Sequence, residues 1–281
     1  MALLEVENLT VSFKTDEGIV TVLHNASYAV EAGEVLAIVG ESGSGKSVAM
    51  MAVMGLLPRT AEIMADKILF NGHDFLKLTG QERRRLMGKE IAMIFQEPMA
   101  GLNPCFTVGA QLDETLQAHE KMGRKARRER SIELLTAVGI PEPERRLKSY
   151  PHEMSGGQCQ RVMIAIAISC NPKLLIADEP TTALDVTIQK QILDLLISLQ
   201  TQYGMGLIMI THDMGVVAET ADRVVVQYNG RKMEEADVVQ LFSNPKNSYT
   251  KALLAARPEN AEGGRLQIVS DILDDVEGAM Q

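Results

Sequence analysis

Eight consecutive residues, Gly40-Glu41-Ser42-Gly43-Ser44-Gly45-Lys46-Ser47, narrow the folds open to this chain more than any other stretch. They follow the apolar run Val35–Val39 and lead into another, Val48–Leu57. A glycine-rich loop between a buried strand and a helix can turn its backbone N–H groups toward one point, which makes a cradle for phosphate oxygens. The helix start adds the positive end of its dipole. Lys46 supplies a point charge suited to β- and γ-phosphates, and the Ser47 hydroxyl suits Mg²⁺. On average residue usage, the four fixed positions of this pattern match somewhere in a chain of this length about 1% of the time. The strand–loop–helix setting makes chance rarer still.

That loop asks for an α/β fold, and the rest of the chain agrees. Val35–Val39, Ile91–Phe95, Leu174–Ala177, Gly206–Ile210 and Arg223–Gln227 read as buried strands. Ile188, Ile192, Leu195, Leu196 and Leu199 fall on one helix face. Asn229-Gly230 between Val224–Tyr228 and Lys232–Glu234 signals a hairpin. Strands alternating with helices imply a largely parallel sheet. The stretch Thr107–Arg146 carries no strand signal and reads as an inserted, all-helical subdomain.

A second anchor is Leu174-Leu175-Ile176-Ala177-Asp178-Glu179, an apolar strand ending in two carboxylates. Asp178 is placed to hold Mg²⁺, directly or through water. Glu179 is placed to orient and polarise an attacking water, because phosphoryl transfer depends on positioning and electrostatics. Taken alone, Asp-Glu-Pro could simply end a strand and open a turn; next to a phosphate loop the catalytic reading is favoured. Ser155-Gly156-Gly157-Gln158 offers another set of backbone amides at a helix start, either a plain helix-capping loop or a second phosphate cradle.

With Ser155–Gln158 the chain resembles the ABC ATPases, whose signature is Leu-Ser-Gly-Gly-Gln. Met154 stands at the first position, a volume-conserving change, and Arg161 follows as the family expects. The resemblance implies an ABC cassette, a P-loop NTPase with a RecA-like parallel-sheet core: an ATP-binding core with an N-terminal antiparallel β subdomain over 1–98 and 165–240, an inserted helical subdomain carrying the signature over 99–164, and a C-terminal extension over 241–281. It implies that Ser155, Gly156, Gly157 and Gln158 serve ATP bound to an opposite subunit. Gln96, after Ile91–Phe95, matches the Q-loop, which touches Mg²⁺ and relays to a membrane partner. His212 matches the H-loop, a γ-phosphate contact. Asp185 matches the D-loop across a dimer interface and also suits a helix N-cap. Phe13 aligns with the aromatic that stacks on adenine, Phe keeping the π face of the usual Tyr. Gly40 to Val48 complete the nucleotide-binding set, with Lys46, Gln96, Glu179 and His212 as its catalytic members and Ser47, Gln96 and Asp178 as its metal ligands.

Finer features resemble the ATPases of oligopeptide and dipeptide importers. They are Phe95-Gln96-Glu97-Pro98-Met99 through Leu102-Asn103-Pro104, Met54-Gly55-Leu56-Leu57-Pro58, and Asn244-Pro245 followed by Ser248-Tyr249-Thr250-Lys251-Ala252-Leu253-Leu254. The likeness runs from Met1 to about Pro258. It implies an ATPase energising di- and oligopeptide import with ATP and Mg²⁺, at the cytoplasmic face of the inner membrane. The implied partners are two membrane-spanning permeases, a second and different cassette, and indirectly a peptide-binding protein.

Composition sets the remaining bounds. Lys and Arg total 28 against 37 Asp and Glu, a net charge of -9, whereas nucleic-acid binders tend to be basic. Cys105, Cys159 and Cys170 are too few for a disulfide framework, a zinc site or an iron–sulfur cluster, although members of this group often carry a cysteine-rich tail. Met1–Asn8 is strand-like rather than a signal peptide. Val48–Leu57, the longest apolar run, is about half the length of a membrane-spanning helix. The basic clusters Arg83–Arg85 and Gly123–Arg130 read as solvated helix faces, with docking near anionic lipid headgroups as the alternative. Two other classes of ABC protein fit the sequence less well. A DNA-repair ABC ATPase needs zinc cysteines or a long coiled coil between P-loop and signature, and no heptad run lies there. A silent subunit would have lost Glu179 or His212, and both are present.

Overall fold

The computed structural model describes residues 2–182 and 184–256. In chain order the strands and helices are β1 (Leu4–Thr15), β2 (Gly18–Val30), β3 (Val35–Val39), α1 (Lys46–Met54), β4 (Ala61–Met64), β5 (Lys67–Phe70), β6 (His73–Asp74) and α2 (Gly80–Leu86). They continue as β7 (Ile91–Ile94), α3 (Pro98–Gly101), α4 (Val108–His119), α5 (Arg124–Ala137), α6 (Pro143–Arg146), α7 (Gly156–Ile168), β8 (Leu174–Asp178) and α8 (Val186–Tyr203). The last are β9 (Gly206–Thr211), α9 (Met214–Thr220), β10 (Arg223–Tyr228), β11 (Arg231–Asp237), α10 (Val238–Ser243) and α11 (Ser248–Ala255). Contacts divide the described chain into two units, one of residues 2–30, 35–76 and 209–256, the other of residues 31–34 and 77–208.

In the first unit β1 pairs antiparallel with β2, from Leu4↔Val30 to Thr15↔Gly18, and with β4 and β5. Leu4 and Val6 are buried, then Leu9 and Val11, so the inward parity changes between them. Asn8 takes up the extra residue at φ 52, where the register with β2 shifts. β3 is buried at every position, the pattern of a strand covered on both faces. β10 runs parallel to β3 and antiparallel to β11. Asn229 and Gly230 join β10 to β11 with φ 45 and 71, the two left-handed residues of a tight hairpin. Ala37, Val39, Val224 and Val226 pack with Met214, Val217, Leu241 and Tyr249 into one core.

In the second unit β7 pairs parallel with β8, Ile91 opposite Leu174. The stretch expected to be all-helical holds α4, α5 and α6. The Arg127 guanidinium grips the Asp113 carboxylate with both ends, fastening α5 to α4. The Asp185 side chain caps α8 through Ile188 N, and Gly204 closes it at φ 60. Its buried stripe runs through Ile192, Leu193, Leu196 and Leu199, leaving Ile188 and Leu195 at the margin. Cys159 and Cys170 are buried and Cys105 is exposed. Burial pushes both inner thiols up.

Element ends differ slightly from those read in the sequence. α1 covers Lys46–Met54 rather than Val48–Leu57, because Gly55 turns left-handed at φ 70 and returns its N–H to carbonyls of the last turn. β8, β9 and β10 each run one residue further than expected, and β7 stops one residue short. No helix among the described residues is long and apolar enough to cross a membrane.

Candidate functional site

The Gly40–Ser47 loop belongs to the first unit, and two of its glycines are sterically obligatory. Gly40 has φ 153, and a Cβ there would lie 1.9 Å from the Gln227 carbonyl oxygen. Gly45 has φ 92 and would bring a Cβ to 2.9 Å from the Val22 carbonyl oxygen. A glycine at each place is therefore a condition of the close approach of backbone to backbone. α1 starts at Lys46, so Lys46 and Ser47 occupy its first turn. Lys46 is 4% exposed, and its ammonium donates to the carbonyls of Gly40 and Glu41, each at 2.8 Å. Glu41, Ser42 and Gly43 are open to solvent, while Ser44 is buried and Ser47 and Val48 are half-buried.

The underside of this loop is held by two residues that sequence reading did not single out, Gln227 and Tyr28, and by the hairpin glycine Gly230. Gln227, fully buried at the end of β10, donates from Nε2 to the Ser44 carbonyl at 2.6 Å. Its Oε1 accepts the Tyr28 hydroxyl at 2.7 Å. Burial pushes the Tyr28 phenol up, so it stays protonated and donates. Gly230 N, in the hairpin, gives the Ser44 carbonyl a second bond at 3.1 Å. The sequence signal was slight: a lone amide closing the apolar run Val224–Val226.

Phe13 and His212 also lie in the first unit. Phe13 is half-buried on β1, opposite Val20 of β2 and Ala61 of β4. His212 follows β9 and is exposed, directly before Asp213, whose carboxylate caps α9.

The second unit carries the carboxylates and the Ser-Gly-Gly-Gln loop. Asp178 closes β8 and is 6% exposed. Glu179 comes next with φ 44, a left-handed conformation rare for a residue with a side chain. Such a backbone costs about 1–3 kcal/mol. The following Pro180 already disfavours the right-handed helical alternative. One Glu179 oxygen, Oε2, accepts both the Thr182 hydroxyl at 2.8 Å and the Gln96 amide at 3.1 Å. Gln96 and Glu179, matched to separate motifs 83 residues apart, thus meet directly. A carboxylate oriented in this way can hold and polarise a water.

Ser155 is the N-cap of α7. Its hydroxyl accepts Gln158 N at 3.3 Å, and the Gln158 side chain returns to Ser155 N at 3.2 Å. A Cβ at Gly157 would come to 2.9 Å from Ile188 Cγ2 of α8, so that side chain would have to shift to admit it. Ser155 and Gly156 face solvent at a helix N-terminus, geometry able to receive an anion. Asp185, also exposed, caps α8.

A family model described as ABC transporter matches residues 23–182. The chain is 52% identical over 262 residues to the dipeptide transport ATP-binding protein DppD of Escherichia coli (strain K12), covering 93% of this chain and 80% of that protein. It is 50% identical over 269 residues to the oligopeptide transport ATP-binding protein OppD of Bacillus subtilis (strain 168), covering 95% and 75%. Among solved structures it resembles the dimeric, post-hydrolysis ATP-binding cassette MJ0796 bound to ADP and Pi, with TM-score 0.74 and 29% identity over 84% of this chain and 98% of that one. It also resembles cbiO1 of Clostridium perfringens, part of the ABC transporter complex cbiONQ, with TM-score 0.71 and 28% identity over 86% and 91%.

Proposed function

The chain belongs to the ABC transporter family, with the ATP-hydrolysing cassette fold, and from that premise we propose that it energises the import of di- and oligopeptides. The observation that carries the catalytic part is the Glu179 carboxylate at the end of β8, steadied by Thr182 and Gln96. The cargo rests on the identity with DppD and OppD.

In this reading ATP lies on Gly40–Ser47, its adenine against Phe13. Lys46 exchanges its two carbonyl partners for phosphate oxygens, so binding repays the bonds it gives up. Glu179 orients the attacking water. Lys46, Gln96 and His212 stabilise the charge that develops on the transferred phosphoryl group. The residues present suit Mg²⁺: the Ser47 hydroxyl and the nearly buried Asp178 carboxylate are hard oxygen donors, few in number, as expected for an ion that keeps waters and phosphate oxygens. Gln96 is a third donor for it. When bound, Mg²⁺ neutralises charge on the phosphate oxygens. Ser155–Gln158 presents its helix end to ATP held by an opposing cassette, and Asp185 lies at the junction between the two.

Peripheral attachment to the cytoplasmic face of the inner membrane, two permeases, a second and different cassette, and a peptide-binding protein complete the proposed assembly. The test is ATPase activity in proteoliposomes holding all these components. Loaded with dipeptide or oligopeptide, the binding protein should stimulate turnover and drive labelled peptide inward. Stimulation by a nickel- or opine-loaded binding protein, and by no peptide, would overturn the cargo.

A further inference from the structure

α11 places a tyrosine directly against the phosphate loop. Tyr249 is 2% exposed, and its hydroxyl accepts the backbone N–H of Glu41 at 3.3 Å. That N–H belongs to the same peptide group as the Gly40 carbonyl, which accepts the Lys46 ammonium at 2.8 Å. One peptide plane is therefore held at both ends, its oxygen by the lysine of the loop and its nitrogen by Tyr249. Hydrogen bonds in such a chain polarise one another.

The tyrosine is itself held firmly. Its ring stacks on Tyr228, centroids 4.3 Å apart, and it packs into the core around Val226 and Leu241. Asn247 caps α11, its side chain accepting Tyr249 N at 2.8 Å. Glu234 of β11 pins the preceding turn by accepting Lys246 N at 2.8 Å and Asn247 N at 3.0 Å. Burial above all pushes the Tyr249 hydroxyl up to about 12, so it remains a neutral phenol.

We propose that Tyr249 is a positioning residue for nucleotide binding, fixing the Gly40–Glu41 peptide and through it the starting place of the Lys46 ammonium. The proposal rests on the ATPase reading above. Tyr249→Phe keeps the ring, the stack and the packing and removes only the hydroxyl. Losing one such bond should weaken ADP binding to the isolated chain roughly 3- to 10-fold. In the assembled transporter it should raise KM for ATP by a similar factor and leave kcat within about twofold, the mark of lost uniform binding. Merely structural damage would instead lower the active fraction, reducing kcat at unchanged KM, and that result would overturn the proposal. Hydrogen exchange on the nucleotide-free chain supplies a readout independent of ATP: amide exchange at Glu41 should quicken in Tyr249→Phe. An unchanged rate there sinks the positioning role even if the parent chain binds ADP well. Failure of the parent itself to bind ADP would count against the ATPase reading, with the exchange result still deciding the fate of Tyr249.

Discussion

Gln227→Leu is the most informative single change, because the structure shows which bonds it breaks. The wild-type amide satisfies two groups, the Ser44 carbonyl at 2.6 Å and the Tyr28 hydroxyl at 2.7 Å. The Ser44 carbonyl keeps its bond from Gly230 N, so it loses one of two partners, at a cost of about 0.5–1.5 kcal/mol. The Tyr28 hydroxyl is left buried without this partner, at about 1–3 kcal/mol. The sum is about 1.5–4.5 kcal/mol, a large share of the stability of an ordinary domain. Urea unfolding followed by far-UV circular dichroism reads this as a fall in midpoint. The double variant Tyr28→Phe/Gln227→Leu makes the argument sharper. It removes the stranded hydroxyl, so it should recover about 1–3 kcal/mol relative to Gln227→Leu alone. If the double variant is less stable than the single one, the bond accounting under the loop is wrong.

Other outcomes follow from the same geometry. Glu179→Gln should bind ATP normally yet turn over about 10²–10⁴-fold more slowly, because the carboxylate proposed to orient the water is gone; near-parental hydrolysis would refute that proposed role. Lys46→Ala should weaken nucleotide affinity roughly 10- to 100-fold by deleting a charge-assisted contact, and a calorimetric titration showing unchanged affinity would contradict the P-loop assignment. Ser155→Arg should cost about 0.5–2 kcal/mol through the lost cap of α7 while the variant's own ATP binding survives and turnover of the paired cassettes stops; loss of binding in its own site argues against action on the opposing nucleotide. The chain alone should be mostly monomeric and a weak ATPase, as checked by ATPase rate against concentration; a tight homodimer with full, substrate-independent turnover would refute a mixed pair of cassettes.

What could be read in advance was local. The Gly40–Ser47 loop, the carboxylates closing β8 and the Ser155–Gln158 turn each need only a few adjacent residues, so the chemistry proposed for them is written in short words. The Asn229-Gly230 turn was equally plain, because two consecutive positive φ angles demand such a pair. The supports of those features lie far away in the chain. Gln227 is 183 residues from Ser44, and Tyr249 is 208 residues from Glu41. Nothing in either neighbourhood names its partner, because only the pairing of β3 with β10 and the packing of α11 bring them close. Glu179 shows the same limit at the level of one residue. Its identity suggested a catalytic carboxylate, but its left-handed backbone and its meeting with Gln96 came only from the folded chain.

The contrast between the cysteines has a practical side. Cys159 and Cys170 are shielded, and burial keeps them as unreactive thiols, whereas Cys105 sits at the surface in the segment between α3 and α4. A maleimide dye added to the folded, unmutated chain should therefore attach at one address, close in sequence to the Gln96 segment. Fluorescence from that address, followed while ATP is added and exhausted, would give a clock for whatever rearrangement the second unit undergoes in each turnover, with no engineered residue to confound it.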